Sequence, residues 1–508
     1  MFLKIEPPSP APLTPRDYWI LGVILAAFVL IASLAAAAKA ASNDEGFVAN
    51  QSWTLATEGR MAVTIIIDKV RPGAGTDHRA YWIAPLQPVL QAGWFLAFGR
   101  SLFAMRFFTI IFGVVALVAF FLFLDRLSGR RAVSLAGAGM LALSYVFLDT
   151  GSYGRMDMMA AALGLSGWAA YVCWRRDQFD RAIFISQTLI VMSGITHWCG
   201  LLWAVGLMLL TVGWDVRRLR LRHLGLAAIP YVVGGLAWGA YIWQDPAEFR
   251  RQFFANATAS GRMSGLSAPW MGVWREFVER YPVSYGLRSH TAGNRGPIFL
   301  KACILAAYLG AILTSLFWKQ MRERPERNIL LLLTGIFFLL LGVLEGQKLS
   351  LYLIHIIPLY TALLAMVVGV LWERRTVPRW LMVVALTGIL LVDAGGMVYR
   401  IRHNPIGTLY LPVGQALRQY APPGSIVYGH NSLYFVIDDQ YKYRDDSYLG
   451  FQDGKIPDYY IMEETWNTIH AEQQQLQSDL WRHIEKIRKN SRLLYQNAAY
   501  AVYEIEKR

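Results

Sequence analysis

The hydrophobic positions of the chain fall into eleven long runs that are separated by polar loops. When helical, a run of about 20 apolar residues matches the thickness of a bilayer core. The pattern therefore predicts a polytopic α-helical membrane protein with about eleven transmembrane helices. The runs lie at 18–38, 101–124, 132–148, 156–174, 182–194, 196–214, 224–243, 298–318, 328–344, 349–371 and 379–399.

The two short runs between 182 and 214 need a separate argument because they adjoin each other. A single helix over these residues would be about 50 Å long, whereas a hydrocarbon core is about 30 Å thick. We therefore predict two helices, with a tight turn at Thr196-His197.

The polar segments predict the remaining organisation. Residues 1–17 are rich in proline and are expected to form a cytoplasmic tail. The long loops 39–100 and 244–297 interrupt the transmembrane domain, which spans 18–400, and the aromatic stretch 81–98 predicts an interfacial helix. Residues 401–508 change in composition and predict a small α/β domain, with strand-like runs at 424–438, 457–462 and 493–504 and a polar helix over 463–489.

Composition and charge favour the same interpretation. The chain has 508 residues, of which 55% are hydrophobic, and its mean hydropathy of +0.33 excludes an ordinary soluble enzyme. Five short loops hold 17 Lys and Arg, so the net charge of +14 is a positive-inside signal and does not indicate nucleic-acid binding. The two long loops and the C-terminal domain are then extracytoplasmic, outside a cytoplasmic (inner) membrane.

Candidate chemistry begins at Asn43-Asp44-Glu45-Gly46, directly after the first apolar run. Adjacent carboxylates near hydrocarbon are costly and are often functional. Asp44 is a candidate catalytic base, and the alternative is that Asp44 and Glu45 only mark the end of a membrane helix.

Further ionisable residues collect at the predicted outer ends of the helices, which favours a cavity open to the outside over a transporter with a midplane site. Each has an alternative structural role: Arg106 can snorkel, while Asp157 and His197 can cap helices. Lys348 is followed by Tyr352 and His355 at helical spacing, so their donors are expected to face one direction. The candidates are Asp44, Glu45, Arg106, Arg155, Asp157, His197, Lys348, Tyr352 and His355.

Metal and disulfide chemistry receive little support from the sequence. The three cysteines lie in or beside apolar runs, and no ligand spacing joins the carboxylates to His78 or His197. No cofactor is expected, and a divalent metal remains open.

Three stretches together resemble the GT-C superfamily of membrane glycosyltransferases. They are Asp44-Glu45 with Arg106 after it, residues 151–157 (Gly-Ser-Tyr-Gly-Arg-Met-Asp), and residues 348–353 (Lys-Leu-Ser-Leu-Tyr-Leu) leading to Pro358. More narrowly, they look like the branch of the protein O-mannosyltransferases and the lipid A aminoarabinose transferases.

The resemblance implies an enzyme that uses a sugar carried on a polyprenyl phosphate. Asp44 would activate the acceptor, with Glu45, Arg155 and Asp157 shaping the site. Lys348 would correspond to a lysine of the family, although Ser350 replaces the family's proline, and His197 stands where many relatives have a Lys-Gly pair.

The expected function is inverting transfer of a sugar from a polyprenyl-phosphate donor to a hydroxyl of a glycan, lipid or protein acceptor. In this interpretation Asp44 and Glu45 are catalytic, and Arg155, Asp157 and His197 bind substrate. The donor phosphate would meet Lys348, Arg106, Tyr352 and His355. The alternatives are a lipid or sugar transporter that breaks no bond and a receptor-like protein.

Overall fold

The computed structural model describes residues 12–66, 75–259, 261–288, 301–437 and 439–506. Most of the predicted tail 1–17 and the end of the loop 244–297 lie outside these ranges. The described chain is mostly helical, and its first half, from the N-terminus to the second long loop, contains ten α-helices. They are α1 Pro15–Ala38, α2 Asn43–Glu58, α3 Leu86–Phe98, α4 Leu102–Ser128, α5 Arg131–Leu143, α6 Tyr145–Gly151, α7 Met156–Trp174, α8 Phe179–Gly194, α9 Leu202–Asp215 and α10 Leu221–Ile242.

The second half contains further apolar helices, short helices in the second long loop and the C-terminal helices. Short 3-10 turns at Trp198–Leu201 and Ser350–His355, and a π turn at Glu276–Arg280, connect some of them. The helices are α11 Pro246–Ala259, α12 Ser264–Ser267, α13 Pro269–Arg275, α14 Tyr281–Ser284, α15 Lys301–Phe317, α16 Lys319–Arg322, α17 Glu326–Leu344, α18 Ile357–Arg374, α19 Arg379–His403, α20 Leu411–Tyr420, α21 Glu464–Gln475 and α22 Asp479–Lys489.

The polytopic helical class is confirmed, but the predicted number of spans is not. Within the described ranges, eight helical segments are long and apolar enough to cross a membrane. The number is nine if α5 and α6, bent by 61°, form one span. Each predicted run contains a helix, but α8 has 16 residues and α15 begins at the first described residue of its segment, so the number of spans stays a prediction.

The predicted break between 182 and 214 is present. Helix α8 ends at Gly194, and a 3-10 turn begins at Trp198 before α9 starts. A Cβ on Gly200 would lie 2.2 Å from the carbonyl oxygen of Ser193, so the chain folds back on itself too closely for a larger residue. This turn places His197 at the end of the helix pair.

Both N-terminal helices begin with a capping box, in which a hydroxyl and an acid satisfy the free N–H groups of the first turn. Thr14 and Asp17 cap α1, while Ser42 and Glu45 cap α2. The second box starts α2 at Asn43, directly after the first span, and so places Asp44 in the first turn of α2.

The C-terminal part contains a five-stranded mixed sheet. Its order is β2-β1-β3-β5-β4, in which β1 pairs in parallel with β2 and β3, and β5 pairs antiparallel with β3 and β4. The predicted helix over 463–489 is two helices, because Gln477 has a positive φ of 47° and Ser478 caps α22. The strands are β1 Ile426–Tyr428, β2 Lys442–Arg444, β3 Tyr459–Met462, β4 Ser491–Gln496 and β5 Ala501–Ile505.

The C-terminal part packs directly against α2. A Cβ on Gly46 would lie 1.9 Å from the carbonyl oxygen of Asn431, so backbone meets backbone there. Asn50 Nδ2 donates to the hydroxyl of Tyr434 at 3.4 Å, and Asp445 forms a β-bridge to Ile66. The C-terminal part therefore supports the helix that carries the Asp-Glu pair.

Candidate active site

Asp44 is the accessible acid of the candidate site. Its side chain is 51% exposed, and its Oδ2 contacts Nη1 of Arg155. A carboxylate that is half exposed and held by one arginine keeps lone pairs free to accept a proton. This arrangement is compatible with a base that accepts a proton from a group in solvent contact.

Arg155 links Asp44 to a second, buried acid. It is the residue before the first turn of α7, and its Nε donates to Oδ2 of Asp157 at 2.9 Å. Asp157 is completely buried, whereas Arg155 keeps 7% of its surface. The guanidinium of Arg155 thus joins the exposed carboxylate of Asp44 to the buried carboxylate of Asp157. Arg155 and Asp157 both belong to the stretch 151–157.

Glu45, although adjacent to Asp44, has a different environment. Its side chain is fully buried in a bidentate ion pair with Arg106, with Nε 2.7 Å from Oε1 and Nη2 2.8 Å from Oε2. The backbone N–H groups of Gly154 and Ser42 donate to the same carboxylate at 2.7 and 2.8 Å. Glu45 therefore accepts four hydrogen bonds and joins α2, α4 and the turn before α7.

Arg106 is correspondingly saturated. Besides Glu45, its guanidinium donates to the carbonyl oxygens of Ala36, Lys39 and Ala40 at 2.7, 2.5 and 2.9 Å. An arginine has five N–H donors, and all five are used here. As it stands, this side chain has no donor left for a phosphate, and it does not snorkel to the surface.

The Glu45 carboxylate stays ionised despite its burial. Burial alone raises the pKa of a carboxyl group, but the charge and hydrogen bonds of Arg106 and the two backbone donors outweigh it. The pKa of Glu45 is therefore held below its ordinary value. A carboxylate in this state is a poor proton acceptor, so the structure favours Asp44 over Glu45 as the base.

His197, Tyr352 and Arg262 form the next layer of the site. The rings of His197 and Tyr352 lie 5.4 Å apart, and Nη1 of Arg262 donates to the Tyr352 hydroxyl at 3.3 Å. Tyr352 also interacts with Arg155. Nε of Arg262 is buried, with no hydrogen-bond partner among the described residues. Arg262, from the second long loop, thus brings a partly unsatisfied cation to Tyr352, the residue that also interacts with Arg155.

His197, Cys199 and His355 each bring a possible metal-ligating atom to within 4.8 Å of the others. Nδ1 of His197 accepts from the backbone N–H of Cys199 at 3.2 Å, and Nδ1 of His355 accepts from the indole of Trp203 at 3.0 Å. Both partners can only donate, so both Nδ1 lone pairs are used and each neutral ring carries its proton on Nε2. In this conformation the two histidines present N–H donors at Nε2 and offer no free ring nitrogen to a metal ion.

Lys348 lies in a separate buried cluster. Its Nζ donates to Glu276 at 2.9 Å and to the carbonyl oxygen of Gly342 at 2.6 Å. Arg280 pairs with Glu345 at 2.5 Å and lies 3.4 Å from Glu276. Two acidic and two basic side chains thus fix the π turn Glu276–Arg280 of the second long loop to the end of α17.

The charges in this cluster depend on one another. Burial lowers the pKa of Lys348 and raises the pKa of Glu276. The charge of each residue acts against the pKa shift of the other. Lys348 also has a φ of 59°, a left-handed conformation that is costly for a residue with a side chain. The cluster therefore positions the chain around Lys348 and leaves its ammonium already paired.

The structure brings six of the nine predicted residues into one connected group, and places the other three differently. The group is Asp44, Arg155, Asp157, His197, Tyr352 and His355. Glu45 and Arg106 form the buried ion pair that holds the start of α2, and Lys348 lies in the cluster with Glu276. Arg262 was not among the predicted residues, because several arginines share the loop 244–297 and none has a distinctive spacing.

Comparison with known proteins identifies the fold. No family model matches the chain, and no curated protein matches it. Among solved structures, ArnT from Cupriavidus metallidurans bound to undecaprenyl phosphate is similar over 97% of this chain and 98% of that chain, with 13% identity and a TM-score of 0.60. The Archaeoglobus fulgidus oligosaccharyltransferase in the apo form is similar over 96% of this chain and 75% of that chain, with 10% identity and a TM-score of 0.56.

A third similar structure is AglB from Archaeoglobus fulgidus in complex with an inhibitory peptide and a dolichol-phosphate. It has 12% identity, covers 97% of this chain and 75% of that chain, and has a TM-score of 0.53. The chain therefore has the fold of the GT-C glycosyltransferases, as its sequence motifs indicate. At these identities the likeness concerns the fold, and the chemistry has to be argued from the site.

Proposed function

We propose that this protein transfers a sugar from a polyprenyl-phosphate donor to a hydroxyl group of a glycan, lipid or protein acceptor, with inversion at the anomeric carbon. The observation that carries the proposal is the half-exposed carboxylate of Asp44, held by Arg155 at the mouth of a buried polar cluster. The fold supports it, since one protein of this fold binds undecaprenyl phosphate and another binds a dolichol-phosphate.

Asp44 acts as the base in this proposal. It takes the proton of the acceptor hydroxyl while the oxygen attacks the anomeric carbon from the face opposite the phosphate. The bond between that carbon and the phosphate oxygen breaks, and the electron pair leaves with the polyprenyl phosphate. One displacement inverts the anomeric centre. A phosphate is a weak base, so its departure needs cations and no general acid.

Arg262 supplies this positive charge, because Arg155 is already held by Asp44 and Asp157. Arg262 is half-buried and has an unsatisfied Nε, and Tyr352 lies between the two guanidinium groups. A planar guanidinium can bind two phosphate oxygens at once, which a lysine cannot do. Tyr352 would orient both arginines, and Asp157 and His197 would shape the floor of the sugar site.

Lys348 and Arg106, which were expected to bind the donor phosphate, are given positioning roles in this proposal. Both cations are buried in ion pairs with Glu276 and Glu45, so a phosphate would have to displace a carboxylate to reach them. We propose that Arg106 holds the Asp44 helix in place. Lys348 is proposed to hold the outer loop that carries Arg262, since the backbone carbonyl of Arg262 accepts from Gly346 at 2.8 Å.

We further propose that the site and the C-terminal domain face outside the cytoplasmic membrane, where nucleotide sugars are absent. The Lys/Arg-rich loops would then be cytoplasmic. Cysteines at the exposed positions Glu472 and Arg217, in a protein with Cys303 changed to serine, test this orientation. A membrane-impermeant thiol reagent should label Glu472→Cys in intact cells and Arg217→Cys only after permeabilisation. The reverse pattern would contradict the orientation.

The reaction is tested with purified protein and synthetic polyprenyl-phosphate sugars, after native mass spectrometry of any co-purified lipid. Release of polyprenyl phosphate that depends on an acceptor hydroxyl is the expected result. Movement of the lipid or sugar across a vesicle membrane without bond cleavage would support a transporter instead.

Arg262 is tested in the same assay. Arg262→Ala should reduce donor use by about ten- to a hundredfold, and Arg262→Lys should lie between alanine and wild type, because it keeps the charge and loses the bidentate geometry. Arg250→Ala, an exposed arginine of the same loop, is the control and should leave donor use unchanged.

A further inference from the structure

Two buried polar atoms beneath Arg155 have no hydrogen-bond partner among the described residues. They are Oδ1 of Asp157 and Nε2 of His355, and both side chains are completely buried. Buried polar atoms are nearly always paired with protein groups or ordered water. Two such atoms in one cluster therefore need a common explanation.

The two atoms are complementary. Nδ1 of His355 accepts from the indole N–H of Trp203, which fixes the proton of the neutral ring on Nε2 and makes that atom a donor. Oδ1 of Asp157 is an acceptor, since Oδ2 is the atom that pairs with Arg155. Helix α7, which carries Asp157, packs against the 3-10 turn Ser350–His355, and Asp157 and His355 interact electrostatically.

Trp203 is itself held firmly by α7, the helix that carries Asp157. A Cβ on Gly164 would lie 2.1 Å from the indole of Trp203, so the ring fills the space that this glycine leaves. Trp168 donates from its indole to the carbonyl oxygen of Trp203 at 2.9 Å, and the two rings pack with centroids 4.6 Å apart. The indole of Trp203, which donates to His355, is therefore held in a fixed position.

We propose that His355 is a positioning residue, which donates from Nε2 through one buried water molecule to Oδ1 of Asp157. This link would complete a chain from Trp203 through His355, Asp157 and Arg155 to Asp44. A water with two polar partners in a polar cluster is a common element of protein interiors. His197, which carries its Nε2 proton for the same reason, adds a second donor to this pocket.

The chain has a consequence for the reaction, and in this respect it rests on the proposed function. Arg155 has to hold Asp44 in position and still leave a lone pair for the acceptor proton. Asp157 sets the orientation of Arg155, and a fixed Oδ1 keeps the Asp157 carboxylate from rotating. Loss of the His355 donor should therefore misplace Arg155 and slow the chemical step, while the binding of the donor lipid changes little.

The test compares His355→Phe and His355→Gln in single-turnover transfer and in donor binding. The phenylalanine variant should lower the transfer rate at least tenfold with donor affinity within about twofold, and the glutamine variant, which keeps a donor, should recover much of the rate. His223→Phe, a buried histidine beside Phe179, is the control and should keep the wild-type rate. In a double variant with Asp157→Asn, the two losses should not add, because both break one chain.

A structural readout separates this inference from the proposed function. A high-resolution structure of the wild-type protein should contain an ordered water between His355 and Asp157, which His355→Phe should lose, whether or not transfer is observed. Wild-type transfer rates in His355→Phe, additive losses, or the absence of the water would overturn the proposal. One equivalent of zinc or copper bound by the wild type and lost from His355→Phe would replace it with a metal site.

Discussion

Glu45 and Arg106 form a fully buried, bidentate ion pair that joins α2 to α4 directly beneath the exposed Asp44. The two neighbouring acids of one helical turn thus have different tasks. Asp44 is exposed to solvent, and Glu45 fixes the helix on which Asp44 is carried.

Breaking this ion pair should lower the stability of the fold, and any effect on the transfer rate should follow from that loss. Glu45→Gln leaves the charge of Arg106 buried and uncompensated, which we expect to lower the free energy of unfolding by about 3–5 kcal/mol. Replacing both partners, as in Glu45→Leu with Arg106→Met, should recover much of that loss, which thermal unfolding in detergent would measure. If Glu45→Gln kept the wild-type stability but lost transfer, Glu45 would have a catalytic role.

Gly46 provides a test of the contact between α2 and the C-terminal part. In Gly46→Ala the new methyl group meets the carbonyl of Asn431, and the resulting overpacking should cost about 1–3 kcal/mol and displace the start of α2. Both unfolding temperature and transfer rate should fall. Gly22→Ala, where nothing lies within 4 Å of the new atom, is the matched control. Equal behaviour of the two variants would mean that this contact does not position Asp44.

Lys348 tests whether a cation of the second cluster binds donor or holds the loop. Lys348→Ala should weaken donor use and lower stability, because Glu276 loses its partner, and Lys348→Arg should be milder. The variant Lys348→Met with Glu276→Leu removes both charges. If donor use returns along with stability, Lys348 acts by positioning. If stability returns and donor use does not, Lys348 contacts the phosphate.

Lys39 should make stability depend on pH. Burial lowers its pKa from the ordinary value of 10.5 to about 7, although Asp149 opposes this. Above pH 7 the folded protein releases this proton while the unfolded chain keeps it, so stability rises with pH, by up to about 1.4 kcal/mol per unit. Unfolding measured between pH 7 and 9 should show this slope in the wild type and in the exposed control Lys489→Met, but not in Lys39→Met. An unchanged slope in Lys39→Met would contradict the assignment.

Much of the fold could be predicted from the sequence because membrane spans have a strong one-dimensional signal. Length, hydropathy and loop charge located the apolar helices of the described chain. The strand-like runs overlap four of the five strands, whereas β2 lies outside them. The number of crossings stays a prediction, because a run such as 132–148 can bend. Ser144 separates α5 from α6 there, and a hydropathy pattern does not record the 61° angle between them.

The site was predictable only where residues adjoin a helix end. Asp44, Arg155 and Asp157 follow from their places at the first turns of α2 and α7. The pairing of Glu45 with Arg106 and of Lys348 with Glu276 joins residues 61 and 72 positions apart, and no local pattern marks it. A buried cation needs a partner of opposite charge, and for this reason Arg106 and Lys348 looked functional in the sequence. In the structure the partner is a carboxylate, so neither cation is free to bind a ligand.

The role of Asp44 is the central claim, and Asp44→Asn tests it most directly. The amide keeps the size of the side chain and a contact to Arg155 but removes the base. Single-turnover transfer from the lipid donor should then fall by roughly a hundred- to ten-thousandfold. Because the side chain is half exposed, the unfolding temperature and donor binding should stay at wild-type values. Near-normal transfer by Asp44→Asn, or loss of donor binding together with transfer, would contradict the assignment of Asp44 as the base.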